Sequence, residues 1–124
     1  MAYACREMRN TWSSQHSTNI PLQQENVRKL RIGGATVNQI PFDWANNSAN
    51  ILEAIKEARS QKVNILCLPE LCITGYGCED LFLSEWLPAR AWKELNYIKG
   101  FCENITVSVG LPLRFDNVTY NGAC

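Results

Sequence analysis

Val63-Asn64-Ile65-Leu66-Cys67-Leu68-Pro69-Glu70 decides the reading of this chain. Apart from Asn64 its first six residues are apolar, and Pro69 stops the run. That pattern predicts a short strand buried on both faces. Asn64 then needs a hydrogen-bond partner. Upstream, Ile51, Leu52, Ile55 and Ala58 recur at helical spacing, with Glu53, Lys56, Glu57 and Arg59 on most of the remaining surface. This helix is expected to run from the candidate caps Asn46, Asn47 and Ser48 to about Ser60. Farther upstream, Arg31 to Asn38 reads as another strand, in which Gly33 and Gly34 permit close backbone approach. A strand, an amphipathic helix and a buried strand in this order predict a layered α/β sheet.

Downstream, Leu71 to Tyr76 reads as a loop, and a helix could start near Glu79-Asp80, whose carboxylates suit a positive helix end. Pro88 interrupts the apolar pattern, after which Ala89 to Phe101 reads as helical. Ile105 to Val109 alternates as a strand. Arg114 to Val118 reads as a turn, and Thr119-Tyr120 opens a further strand. The chain stops within it, which predicts that more sequence belongs to this domain. Residues 1–29 show no sustained period, and Arg6, Arg9, Arg28 and Lys29 outnumber Glu7 and Glu25. They read as a poorly ordered tail with a short helix over 22–29, and a start codon assigned too far upstream would look the same. The domain proper is expected over residues 30–124.

The 124 residues suit one domain, and 46% apolar with 19% charged residues is a globular balance. Twelve basic residues cancel twelve acidic ones, which argues against nucleic acid or an acidic membrane surface as a partner. No apolar run is long enough to span a bilayer, and no signal peptide is legible, so the expected location is cytoplasmic. In that setting the cysteines at 5, 67, 72, 78, 102 and 124 are expected to be reduced. Cys67 and Cys102 lie in or beside apolar segments and read as small hydrophobes. The spacing of Cys67, Cys72 and Cys78 does not fit zinc, and His16 is far away in the chain, so no metal site is expected.

Glu70 is the sharpest candidate for chemistry. It follows the C-terminal end of a predicted buried strand, the edge of an α/β sheet where ligands collect. A carboxylate placed there can accept a proton from a thiol or a water. Helix capping, or pairing with a surface lysine, would explain its position equally well. Tyr76 lies between Gly75 and Gly77, which let the backbone aim its ring. It can line a pocket and offer a hydroxyl to a polar substrate, or simply pack on the sheet edge. Trp44, Trp86 and Trp92 read as core or interface bulk. Cys78 sits near a candidate helix start, but Glu79 and Asp80 oppose a thiolate there. No complete thiol site is legible.

Leu68-Pro69-Glu70-Leu71 with Thr74-Gly75-Tyr76 resembles the first signature of the carbon–nitrogen hydrolase (nitrilase) superfamily. The run Gly75 to Phe82 is similar to the amino-terminal glutaminase domain of the glutamine-dependent NAD synthetases. Ile32 to Gln39, the helix at 48–60 and Val109 to Pro112 fit the same pattern. The resemblance covers residues 30–124 and implies an αββα sandwich of the nitrilase type, of which this chain would hold the N-terminal part. It also implies a triad of glutamate, lysine and cysteine. Glu70 matches the glutamate, the proton acceptor, and Tyr76 is a candidate substrate contact. The lysine and the nucleophilic cysteine are expected beyond Cys124, since neither Lys99 nor Cys102 has the right context.

The implied substrate is glutamine, whose ammonia would amidate nicotinic acid adenine dinucleotide to NAD. No cofactor is implied for residues 1–124. ATP and magnesium would belong to a synthetase domain whose phosphate-binding loop is not in this sequence. The remainder of the domain, that synthetase domain and further copies in a homo-oligomer are the implied partners. Two other readings stay open: part of a stand-alone amidase or nitrilase, and a chain inert by itself.

Overall fold

The computed structural model describes the backbone of residues 3–7 and the whole of residues 29–124. Its strands are β1 (Tyr3–Glu7), β2 (Arg31–Ala35), β3 (Ile65–Cys67), β4 (Thr106–Ser108), β5 (Gly110–Phe115) and β6 (Val118–Ala123). Its helices are α1 (Trp44–Ser60) and α2 (Trp86–Lys99). One sheet has the order β1-β2-β3-β4, and β5 and β6 form a separate antiparallel pair. β2, β3 and β4 run parallel, with Ile32 opposite Ile65 and Ile65 opposite Thr106. Parallel neighbours need a crossover. The chain makes one through α1 and one through α2, which gives the expected mixed α/β class.

Why α1 forms where it does is visible residue by residue. Ile51, Ala54, Ile55 and Ala58 share one face, and all four are buried. They pack in one core with Leu66 of β3, Ala35 of β2, Ala91 and Ile98 of α2, and Leu111 of β5. Asp43 caps the helix, its carboxylate accepting the Asn46 amide at 3.3 Å. The cap is therefore upstream of the expected Asn46, Asn47 and Ser48, which lie inside the first turns. At the other end Lys62 adopts φ 57°. The Val63 amide then reaches the Ala58 carbonyl at 3.0 Å, and the Lys62 amide reaches Arg59 at 3.0 Å. This crossed pair of bonds closes the helix and turns the chain into β3.

Several sequence expectations are corrected. Tyr3–Glu7, read as part of a loose tail, pairs antiparallel with β2 as an edge strand. The helix read over 22–29 falls almost wholly outside the described residues. β3 is shorter than Val63–Leu68 and is not buried on both faces. Leu66 is buried against the helices, while Ile65 is half-buried and Cys67 exposed. Its alternation follows the pleat, because helices cover one face of the sheet among the described residues. Cys67 is therefore not a core residue.

Pro88 does not delay the second helix, which begins at Trp86. Proline is tolerated there because first-turn amides have no acceptor within the helix. Near Glu79 the chain forms only a five-residue 3₁₀ turn, Glu79–Leu83. Arg114 and Phe115 belong to β5, leaving Asp116 and Asn117 as the hairpin turn. Asn64 has its partner, since its side-chain oxygen accepts the Arg31 amide at 2.9 Å. Trp44 packs partly against the core, whereas Trp86 and Trp92 are half exposed.

Candidate active site

The strand that ends at Cys67 delivers Glu70 three residues later, beyond the C-terminal edge of the sheet. The Leu68 amide still bonds the Ser108 carbonyl at 3.0 Å, so β3 and β4 stay locked up to the approach to Glu70. Gly110 then closes on the same segment. A Cβ placed on Gly110 would lie 2.4 Å from the Pro69 carbonyl oxygen and 2.7 Å from the Glu70 Cα. Only glycine allows that approach. The Ile73 amide donates to the Gly110 carbonyl at 3.3 Å, adding a directional tie.

After Glu70 the loop turns inward. Leu71, Cys72, Ile73, Thr74 and Gly75 are all buried, which obliges their backbone groups to find partners. Asn47 supplies one of these partners from the core face of α1 and binds Ile40 as well. Its Nδ2 donates to the carbonyls of Ile40 at 2.8 Å and Ile73 at 3.3 Å, while its Oδ1 accepts the Ile40 amide at 3.0 Å. Gln39 Nε2 donates to the carbonyl of Asn47 at 3.0 Å and to that of Cys72. The Phe42 amide donates to the Thr74 carbonyl at 3.2 Å.

Gly75 has φ 77°, and a Cβ there would meet the Pro41 nitrogen at 2.9 Å. The loop therefore emerges in one direction, with Tyr76 exposed at its tip. There Tyr76 donates its hydroxyl to Glu70 Oε2. This is the contact that unites the two sequence candidates. The bond to Glu70 pushes the Tyr76 phenol above its ordinary range, with desolvation and the nearby negative charge acting in the same direction. Glu70 itself is exposed.

Cys72, Cys78 and Cys102 are poorly suited to be the nucleophile for this pair. Burial pushes the Cys72 thiol up to about 11, against smaller opposing backbone hydrogen bonds, of which that with Gly110 is the largest. Cys78 donates to the carbonyls of Thr74 and Gly75 at 3.5 Å each, and burial raises its pKa too. Cys102 is raised chiefly by burial, with the Arg59 charge pulling it back. Such thiols are poor nucleophiles near neutral pH. The described cysteines are all free.

Two sizeable clefts lie elsewhere. One, of about 610 Å³, is lined by α1 and α2 and includes Trp44, Ser48, Arg90 and Glu94. The other, of about 520 Å³, lies between α2 and β5 and includes Pro88, Trp92, Pro112 and Leu113. Neither includes Glu70 or Tyr76. Among the described residues no cluster of three metal-ligating side chains occurs, and no helix is long and apolar enough to cross a membrane.

Sequence reasoning singled out Glu70 and Tyr76 but missed the roles of Asn47 and Gly110. Asn47 had a visible signal, a polar residue one turn before Ile51 on the core face of α1. Gly110 lay in the Val109 to Pro112 run that carries part of the resemblance, but its role was hidden because the constraint comes from a segment about forty residues upstream.

Known proteins match this chain over most of its length. Residues 31–124 match the carbon–nitrogen hydrolase family. A solved glutamine-dependent NAD(+) synthetase from Cytophaga hutchinsonii superposes with a TM-score of 0.74 at 59% identity, over 77% of this chain and 16% of that one. A glutamine-dependent NAD(+) synthetase from Oryza sativa subsp. indica is 38% identical over 77% of this chain, and one from Drosophila melanogaster is 35% identical over 76%. This chain spans only 13% and 12% of their respective lengths. With the match covering most of its length, the chain belongs to the carbon–nitrogen hydrolase family.

Proposed function

We propose that this chain supplies the proton-accepting glutamate of a glutamine-hydrolysing domain whose ammonia is used to make NAD. The observation that supports it best is Glu70, held at the C-terminal edge of β3 by Gly110 and bonded by Tyr76. The similarity to glutamine-dependent NAD(+) synthetases supplies the substrate. It favours glutamine over the simple amides or nitriles of a stand-alone enzyme.

In this reading Glu70 takes the proton of a cysteine thiol, and the thiolate attacks the side-chain amide carbon of glutamine. A lysine stabilises the oxyanion that forms. The carbon–nitrogen bond breaks as Glu70 returns its proton to the departing nitrogen, releasing ammonia and leaving a thioester. Water, deprotonated by Glu70, then releases glutamate and restores the thiol. The lysine and the cysteine are expected in the part of the relatives that this chain does not span. ATP and magnesium would act there too, on the carboxylate to be amidated. The free thiols suit a reducing, cytoplasmic setting.

The test is ammonia release from glutamine by the complete gene product containing this chain. Glu70→Gln should lower it by about 10²- to 10⁴-fold, the range for losing a general base. A variant that keeps most of the activity overturns the assignment. For residues 1–124 alone we infer no turnover, since the lysine and the nucleophilic cysteine are expected in the part of the relatives that this chain does not span. Measurable ammonia release by that chain would overturn this.

A further inference from the structure

Tyr76 was expected to offer its hydroxyl to a substrate, yet that hydroxyl donates to Glu70. Both ends of this bond stand on constrained backbone. Glu70 follows a segment that Gly110 contacts too closely for any side chain, and Leu71 beside it has φ 47°. Tyr76 follows Gly75, pressed against Pro41, and the Thr74 carbonyl is taken by the Phe42 amide and Cys78 Sγ. An exposed glutamate would otherwise sample many rotamers. An exposed tyrosine on a fixed backbone can remove that freedom at little cost, having two side-chain torsions.

We propose that Tyr76 is a positioning residue for Glu70, occupying Oε2 so that Oε1 is the oxygen that receives the thiol proton. This rests on the reading of Glu70 as proton acceptor. A neutral phenol suits the task, because it donates one hydrogen bond without adding a charge next to a base that must cycle its proton. The upward shift of the Tyr76 phenol keeps that donor protonated well into the alkaline range.

Two measurements test it. Labelled-tyrosine NMR titration of the 124-residue chain should show Tyr76 deprotonating at higher pH in the wild type than in Glu70→Gln. Equal titration would mean that no bond exists in solution and would overturn the proposal. In the complete gene product, Tyr76→Phe should lower kcat for glutamine by about 10- to 100-fold, the cost of a misplaced catalytic group, with KM within about twofold. A raised KM at unchanged kcat would make Tyr76 a substrate contact instead, with Glu70 still the base. If Glu70→Gln remains active, the proton-acceptor reading fails and the positioning role falls with it, whatever the titration shows. Tyr76 is exposed, so its phenylalanine variant leaves the core packing intact.

Discussion

Asn47 and Ile73 are joined by a buried hydrogen bond of 3.3 Å that ties the core face of α1 to the loop following Glu70. Asn47 is 1% exposed and also grips both backbone groups of Ile40. Asn47→Ala would take this partner from the buried Ile73 carbonyl, at about 1–3 kcal/mol before relaxation, while the part-buried Ile40 groups keep access to water. The expected result is a clear drop in the urea midpoint. Asn47→Asp keeps the acceptor for the Ile40 amide but loses both donated bonds, and should be destabilised as well. An alanine variant as stable as the wild type would show that water replaces the side chain.

Gly110 makes a prediction with its own control. Gly110→Ala forces a Cβ into the backbone of Pro69 and Glu70. Overpacking of this kind costs about 1–3 kcal/mol, and here the strain falls on the segment bearing the candidate base. Gly34→Ala meets nothing within 4 Å and should stay within about 0.5 kcal/mol of the wild type. Thermal melts of the two variants should therefore separate. Ammonia release by the complete gene product should fall for Gly110→Ala alone.

How much of this was legible beforehand depended on range. The run from Val63 to Glu70 and the Ile51–Ala58 stripe predicted β3, α1 and their order, because both signals are periodic and local. The burial of β3 was overestimated, since a short apolar run cannot say how many faces are covered. The Asp43 cap and the early start of α2 depended on first-turn hydrogen bonding rather than on apolar pattern. β1 was invisible because its pairing with β2 joins residues far apart in a stretch without period. Glu70 and Tyr76 could be named from the sequence, but not their bond, which depends on the turn that Gly75 makes against Pro41.

Cys72 sets a dependence on pH. Its folded pKa of about 11 lies above the ordinary thiol value, so the folded state holds its proton more tightly than the unfolded chain does. Below the ordinary value both states are protonated and the preference is fully present. As pH rises through that value towards 11, stability should fall by roughly 3 kcal/mol at most, at 1.36 kcal/mol per unit. Urea unfolding at pH 8 and pH 10.5 measures the slope, and Cys72→Ala should flatten it. Iodoacetamide at pH 8 should modify the exposed Cys67 and Cys124 before Cys72. Early labelling of Cys72 would mean that the loop after Glu70 opens readily.

The β5–β6 turn gives the last prediction. Asp116 and Asn117 have φ 47° and 62°, the left-handed pair that a two-residue hairpin needs to match strand twist. Asn117→Gly removes the strain of a side chain in that region but adds freedom to the unfolded chain, so a gain of about 0.5 kcal/mol is expected. Asn117→Val places a β-branched residue where it fits worst, and should cost about 1–2 kcal/mol. The damage should spread from Phe115 opposite Val118 to the far end of the ladder, where the Val109 amide donates to Cys124 at 2.8 Å. Amide hydrogen exchange at Val109 reads this directly, slowing in the glycine variant and quickening in the valine variant. Unchanged exchange in both would mean that the hairpin is held by its packing on α2 rather than by its turn.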